Sequence, residues 1–230
     1  MSKLFLLASS LLLATSAHAQ LGLRAGGNLS GQITSPFQHL LGGNSLQTNS
    51  HLGYQLGVTY LLPMSRHWAV VPELQFSRER ESASISSYSP TLSSQADYRL
   101  NLSYLNVPVL LRLTLGPVYL EAGPQASLLV GGRGQGTLSY SGPGAAAITY
   151  DPLIDQAATE RYQRFDAGAC VDIGVQLPAG LGLSVRTYQG LVAMDRQVSY
   201  SPEVIPGSSS KAYRQTLQGS LTYQLPDFAK

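Results

Sequence analysis

The sequence predicts an all-β fold: an eight-stranded antiparallel up-and-down transmembrane β-barrel with four long external loops and short periplasmic turns. Three observations predict it: a period-two apolar pattern that recurs along the chain, a regular alternation of long and short connections, and a polar strand face too poor in charge for a soluble surface. The stretch HLGYQLGVTYLL (51–62) shows the first. Leu52, Tyr54, Leu56, Val58, Tyr60 and Leu62 are apolar, whereas Gly53, Gln55, Gly57 and Thr59 are small or polar. Successive side chains of a strand point to opposite faces, so such a segment has one greasy side and one polar side.

The segment before the first strand is an export signal. Lys3 is the positive start, an apolar run follows from Leu4 to Leu13, broken only by Ala8, Ser9 and Ser10, and Ala17-His18-Ala19 is a small-x-small cleavage site. Residues 1–19 therefore read as a secretory signal peptide cut between Ala19 and Gln20, and 20–230 as one β-barrel domain. No cysteine lies near the cut to accept a lipid, and no later stretch reaches the roughly twenty apolar residues of a spanning helix. Cys170 is the sole cysteine, so no internal disulfide forms. Charged residues are 12% of the chain, against about 25% in ordinary soluble domains. The net charge of +2 offers no basic field for nucleic acid, which is excluded as a partner.

Alternation places strands near 21–31, 51–62, 67–78, 99–115, 117–130, 164–177, 180–191 and 212–225. The links after the second, fourth and sixth are tight: Pro63 to Arg66, Gly116-Pro117 and Pro178-Ala179-Gly180. Those after the first, third, fifth and seventh are long and rich in Ser, Gly, Pro, Asn and Tyr. Outer-membrane barrels segregate short turns to the periplasmic end and long loops to the outside, with an even strand number. A soluble up-and-down barrel has no physical reason to do so.

The polar face carries Gly22, Arg24, Gly26 and Asn28 in the first strand, Glu73, Gln75 and Ser77 in the third, and Glu121, Gly123 and Gln125 in the fifth. The sixth adds Asp166, Gly168, Asp172 and Gly174, the seventh Gly182, Ser184, Arg186 and Gly190, and the eighth Arg214, Thr216, Gln218, Ser220 and Thr222. The fourth strand changes phase, with Leu100, Leu102 and Tyr104 at even positions and Leu105, Val107, Val109, Leu111 and Leu113 at odd ones. A one-residue bulge near Tyr104-Leu105 restores the register and leaves Asn106 and Arg112 on the polar side. A soluble surface would be about a quarter to a third charged. This face instead is mostly Gly, Ser, Thr and Gln, with Arg24, Arg112, Arg186 and Arg214 matched against Glu73, Glu121, Asp166 and Asp172. An eight-stranded barrel has an inner space that side chains just fill, so these eight residues form the expected lumen charge network. The greasy face then points to lipid, which also demands a closed sheet; the alternative is a lipocalin-like soluble barrel with the faces reversed.

The stretches GLRAGGNLSG (22–31), VVPELQFSRE (70–79), SYLNVPVLLRL (103–113), YLEAGPQASLL (119–129), FDAGACVDIGV (165–175) and LSVRTYQGLV (183–192) resemble, in order, the porin-family, PorT-like outer-membrane β-barrel domain of Bacteroidota. The resemblance implies an outer-membrane barrel, with outer-membrane lipids and the barrel-assembly machinery as partners. One member is linked to the type IX secretion system, so an accessory role there is an alternative. Such barrels usually end on an aromatic residue, whereas this chain ends Ala229-Lys230, with Tyr223 or Phe228 as the substitutes.

No catalytic, cofactor or metal site is expected. GGRGQG (131–136) lacks the Lys-Ser/Thr of a phosphate loop and reads as a flexible external loop containing Arg133. Asp151, Asp155 and Glu160 do not follow calcium-loop spacing, and His39, His51 and His67 are scattered. Cys170 falls on the lumen side as a packing residue. A lipid-modifying enzyme using a serine with His51 or His39 near the outer rim is the catalytic alternative. The favoured reading is a non-enzymatic barrel whose external loops, with Tyr88, Tyr140, Tyr150, Tyr162 and Tyr200, contact proteins or glycans.

Overall fold

The computed structural model describes residues 20–33, 49–88, 93–141, 148–157, 162–194 and 212–226. The expected signal segment, with Ala19, lies outside them, as do His39, Glu160, Tyr200 and Phe228. Among the described residues the strands are β1 (Gln20–Ile33), β2 (Asn49–Pro63), β3 (Trp68–Tyr88), β4 (Ser93–Leu115), β5 (Val118–Ser141), β6 (Ile148–Ala157), β7 (Phe165–Gln176), β8 (Leu181–Ala193) and β9 (Tyr213–Gln224). The sheet order is β4-β3-β2-β1-β9-β8-β7-β5, and β5 pairs back onto β4. All of these pairs are antiparallel, so eight strands close a barrel. Closure leaves no ladder edge along the wall, which hydrocarbon requires.

The short links lie at one end. Gly116 turns β4 into β5 with φ +65°, a backbone conformation glycine adopts without a Cβ clash. Trp68 N donates to Ser65 Oγ (3.2 Å) in the turn between β2 and β3. A 3₁₀ turn, Pro178–Gly180, joins β7 to β8.

At the other end β3, β4 and β5 run on past the limits expected from sequence. The β3–β4 register is unbroken from Trp68↔Leu113 to Tyr88↔Ser93. β5 continues to Ser141, and β6 pairs with it from Arg133↔Ala157 to Tyr140↔Ile148. GGRGQG is therefore strand and not a flexible loop: all four glycines pair with β4, and Gly134 and Gly136 pair with β6 as well. β6, unforeseen in the sequence, lies within the connection after β5 and outside the barrel order.

The expected bulge in β4 is also corrected. β4 keeps one phase throughout, and Leu100, Leu102 and Tyr104 are buried with Asn106, Leu110 and Arg112. The register shift falls on β5, where Ser103↔Gly131 is followed by Tyr104↔Leu129, so Val130 is the extra residue. The expected bulge requires a polar interior at every level, whereas an apolar cluster lines the loop end of the lumen.

Face polarity is inverted relative to a soluble barrel. Asp172 and Arg186 are 0% exposed, while their strand neighbours Ile173 and Val185 are 53% and 52% exposed. Leu23, Leu56, Leu74, Val109, Leu120, Val171, Leu183 and Leu221 continue the same outer band around the wall. So large a continuous apolar belt on a closed wall fits a hydrocarbon environment.

Candidate functional site

The interior is packed in layers, and the strands set each side chain by parity. Nearest the short-turn end, Arg24 (β1), Glu73 (β3), Arg112 (β4), Glu121 (β5), Asp172 (β7) and Arg186 (β8) form a network of three arginines and three carboxylates. Arg186 is its hub: Nη1 donates to Glu73 Oε2 (2.9 Å), Nε to Asp172 Oδ2 (2.9 Å) and Nη2 to Glu121 Oε2 (3.4 Å). Arg24 donates to Glu73 at 3.2 Å, and also to Asp172 and to Ser184 Oγ. Arg112 holds Glu121 at 2.6 Å and lies 4.2 Å from the Tyr119 ring centroid. Matching charge three to three removes the large cost of enclosing an unpaired ion.

Above it lies a neutral amide layer. Asn106 donates to Gln75 (3.3 Å) and Ser77 (3.0 Å), Gln125 to Asn106 (3.3 Å), Gln75 to Gln218 (3.3 Å) and Gln55 to Ser220 (2.9 Å). Cys170, buried here, donates its thiol to Gln125 Oε1 at 3.0 Å.

A second ionic group follows. Arg214 bonds Glu79 at 2.5 and 3.0 Å, and its guanidinium lies 3.9 Å from the Tyr104 ring centroid and 4.9 Å from that of Tyr188. Asp166 is 3.6 Å from Arg214 and accepts from Tyr188 OH at 2.7 Å. The lumen is closed toward the loops by an apolar cluster of Leu100, Leu102, Tyr104, Leu129, Tyr162 and Met194. Tyr162 is thus buried in the mouth and does not stand exposed in a loop as expected.

All eight residues of the expected network are buried. Six of them form the group around Arg186, and Asp166 and Arg214 lie in the second group, where Arg214 is served chiefly by Glu79. Glu79 and Glu81, both buried, lie beyond the expected third strand (67–78), on the part of β3 that only the structure shows. Their parity with Glu73, Gln75 and Ser77 was the available signal. Small residues make room for the long ones: a Cβ at Gly174 would strike the Tyr119 ring, and one at Gly57 would come within 3.0 Å of Glu73 Oε1. A polar cavity of about 140 Å³ at the turn end is lined by Arg24, Glu73, Arg112 and Glu121, so it stops at the ionic layer.

At the outer rim, His51 Nε2 and Ser82 Oγ are 2.9 Å apart on the exposed surface. Every carboxylate among the described side chains is buried on the lumen side, so among the described side chains none faces this pair, and a catalytic triad also requires an acid to orient the imidazole. Asp151 and Asp155 lie in β6, and His67 lies in the exposed turn between β2 and β3.

A closed antiparallel wall, an apolar exterior and a charge-paired interior define a transmembrane β-barrel. The chain belongs to the outer membrane protein beta-barrel domain family, whose model matches residues 14–196. Among solved structures it is similar to Ail, the attachment invasion locus protein of Yersinia pestis, at 10% identity over 90% of this chain and 99% of that one, TM-score 0.43. It is likewise similar to Neisserial surface protein A (9%, 90% and 99%, TM-score 0.43) and to OprG from Pseudomonas aeruginosa (10%, 91% and 97%, TM-score 0.36). No curated protein sequence matches the chain.

Proposed function

We propose that the chain is a non-enzymatic, non-conducting outer-membrane barrel: a rigid anchor that presents the projecting β3–β6 sheet and the long connections to the cell exterior for binding. The observation that carries this reading is the Arg186 hub. One side chain bridges β3, β5 and β7 from β8, so the bore is tied across and not merely lined. Eight strands leave space for side chains and little else. A surface role for the loop end agrees with the asymmetry of the links, short at one end and extended at the other.

Planar-bilayer recording on the folded protein tests the filled lumen, and steady single-channel steps would overturn it. Trypsin added to intact cells tests the orientation: cleavage at Lys211 in the connection before β9, with the wall intact, is expected. Amino-terminal sequencing of the mature protein, expected to begin at Gln20, tests the export signal.

A second reading, an accessory component of a type IX secretion system, is supported by the PorT-like stretches, each of which falls on a separate barrel strand. Loss of secretion on deletion of the gene, with co-purification of the secretion machinery, is its test.

A further inference from the structure

The outer face of the barrel changes character abruptly beyond the lipid band on β3 and β4. Going toward the loops, the outward positions of β3 are Leu74, Phe76, Arg78 and Arg80, and those of β4 are Val107, Leu105, Asn101 and Arg99, with Ser103, between Leu105 and Asn101, buried. Arg80 lies opposite Asn101, and Arg99 opposite Ser82. Arg80 and Arg99 are therefore diagonal neighbours, with their Cα atoms about 7–8 Å apart. Arg133, exposed on β5 on the far side of Asn101, extends the row.

Arg78 and Arg80 face away from the acids that alternate with them on β3. Glu79 and Glu81 alternate with Arg78 and Arg80 along the strand but are buried in the lumen, so like charges are sorted to one face. Every carboxylate among the described side chains is buried. At the opposite end of the wall the described outer surface carries only Arg66 and His67 near the turn.

We infer that Arg78, Arg80 and Arg99 form a docking surface for the phosphate groups of a phosphorylated outer-leaflet lipid. Two residues of strand span about 7 Å, so Arg78 and Arg80 stand at headgroup height directly above the hydrocarbon-facing Leu74 and Phe76. Planar guanidiniums at this spacing suit bidentate contacts to phosphate oxygens. The outward direction, shared with the lipid-facing residues, favours a ligand lying in the membrane over a polyanion arriving from solution. The inference rests on the proposed orientation, loops outward, for the leaflet it names.

The test uses the full mature chain folded in phosphatidylcholine nanodiscs, with bisphosphorylated lipid A as the probe and native mass spectrometry as the readout. Wild type is expected to retain lipid A in preference to its dephosphorylated form. The triple variant Arg78→Gln, Arg80→Gln, Arg99→Gln is expected to lose about a hundredfold in retention, from about fivefold per arginine. Arg66→Gln, at the other end, is expected to bind as wild type. Equal retention by the triple variant, indifference to the phosphates, or equally effective displacement by a soluble sulfated glycan would each overturn the inference. Because this assay is blind to orientation in the cell, failure here with loop-end cleavage by trypsin leaves the anchor reading standing. Success without that cleavage would reverse the leaflet alone.

Discussion

Arg186 on β8 and Glu73 on β3 meet at 2.9 Å although 113 residues separate them in sequence, and their strands are not neighbours in the barrel. The contact spans the bore. It converts a cylinder of hydrogen-bonded ribbon into a cross-braced solid, and the filled-anchor reading depends on it.

Removing the hub exposes its cost. Arg186→Leu leaves Glu73, Asp172 and Glu121 short of a cation inside a sealed space, and the barrel is expected to lose about 3–5 kcal/mol. Arg186→Lys recovers little, since a single ammonium cannot fork to three carboxylates. Urea midpoints of the detergent-folded barrel, followed by the unheated-gel mobility shift, measure both.

The second ionic group is graded. Arg214→Ala leaves Glu79 enclosed without its main partner and costs a similar 3–5 kcal/mol. Tyr104→Leu keeps the ion pair and removes one stacking ring, for about 0.5–2 kcal/mol. A reversed ranking in the same unfolding assay contradicts the geometry.

Gly174 and Tyr119 are directly opposed across β5 and β7, and a Cβ at the glycine would overlap the ring. Gly174→Val is expected to cost about 1–3 kcal/mol by overpacking. Tyr119→Ala in the same chain is expected to relieve most of that, so a double-mutant cycle shows coupling. Additive effects would mean that the ring does not fill the space left by the missing side chain.

On the lipid face, position along the wall decides the cost of a charge. Val171→Arg, mid-strand on β7, is expected to destabilise by about 2–4 kcal/mol, and Val130→Arg, at the loop end of the band, by about 0–1. Folding equilibria into phosphatidylcholine vesicles distinguish them.

Much of this wall was legible because lipid and lumen impose the same period-two rule on every strand: the inward set from Arg24 to Thr222 follows from parity alone. What escaped detection escaped for local reasons. RERESASISSY (78–88) alternates but offers only Ala83 and Ile85 as an apolar side, so the extension of β3 resembles a solvated run; backbone pairing with β4 holds it, and single-strand patterns do not report pairing. Leu100, Leu102 and Tyr104 misled for the opposite reason, because an apolar layer on the lumen side mimics a change of face. The bulge lies on β5 at Val130, where glycines on its loop side conceal the shift in phase.

The assignment of faces is tested most directly by fluorescence. Trp68 is the single tryptophan. In a Trp68→Phe background, Ile173→Trp reconstituted in vesicles is expected to be quenched strongly by lipids brominated along the acyl chain and weakly by aqueous acrylamide. Strong acrylamide quenching with no response to the brominated chains would put that face in water and contradict the account.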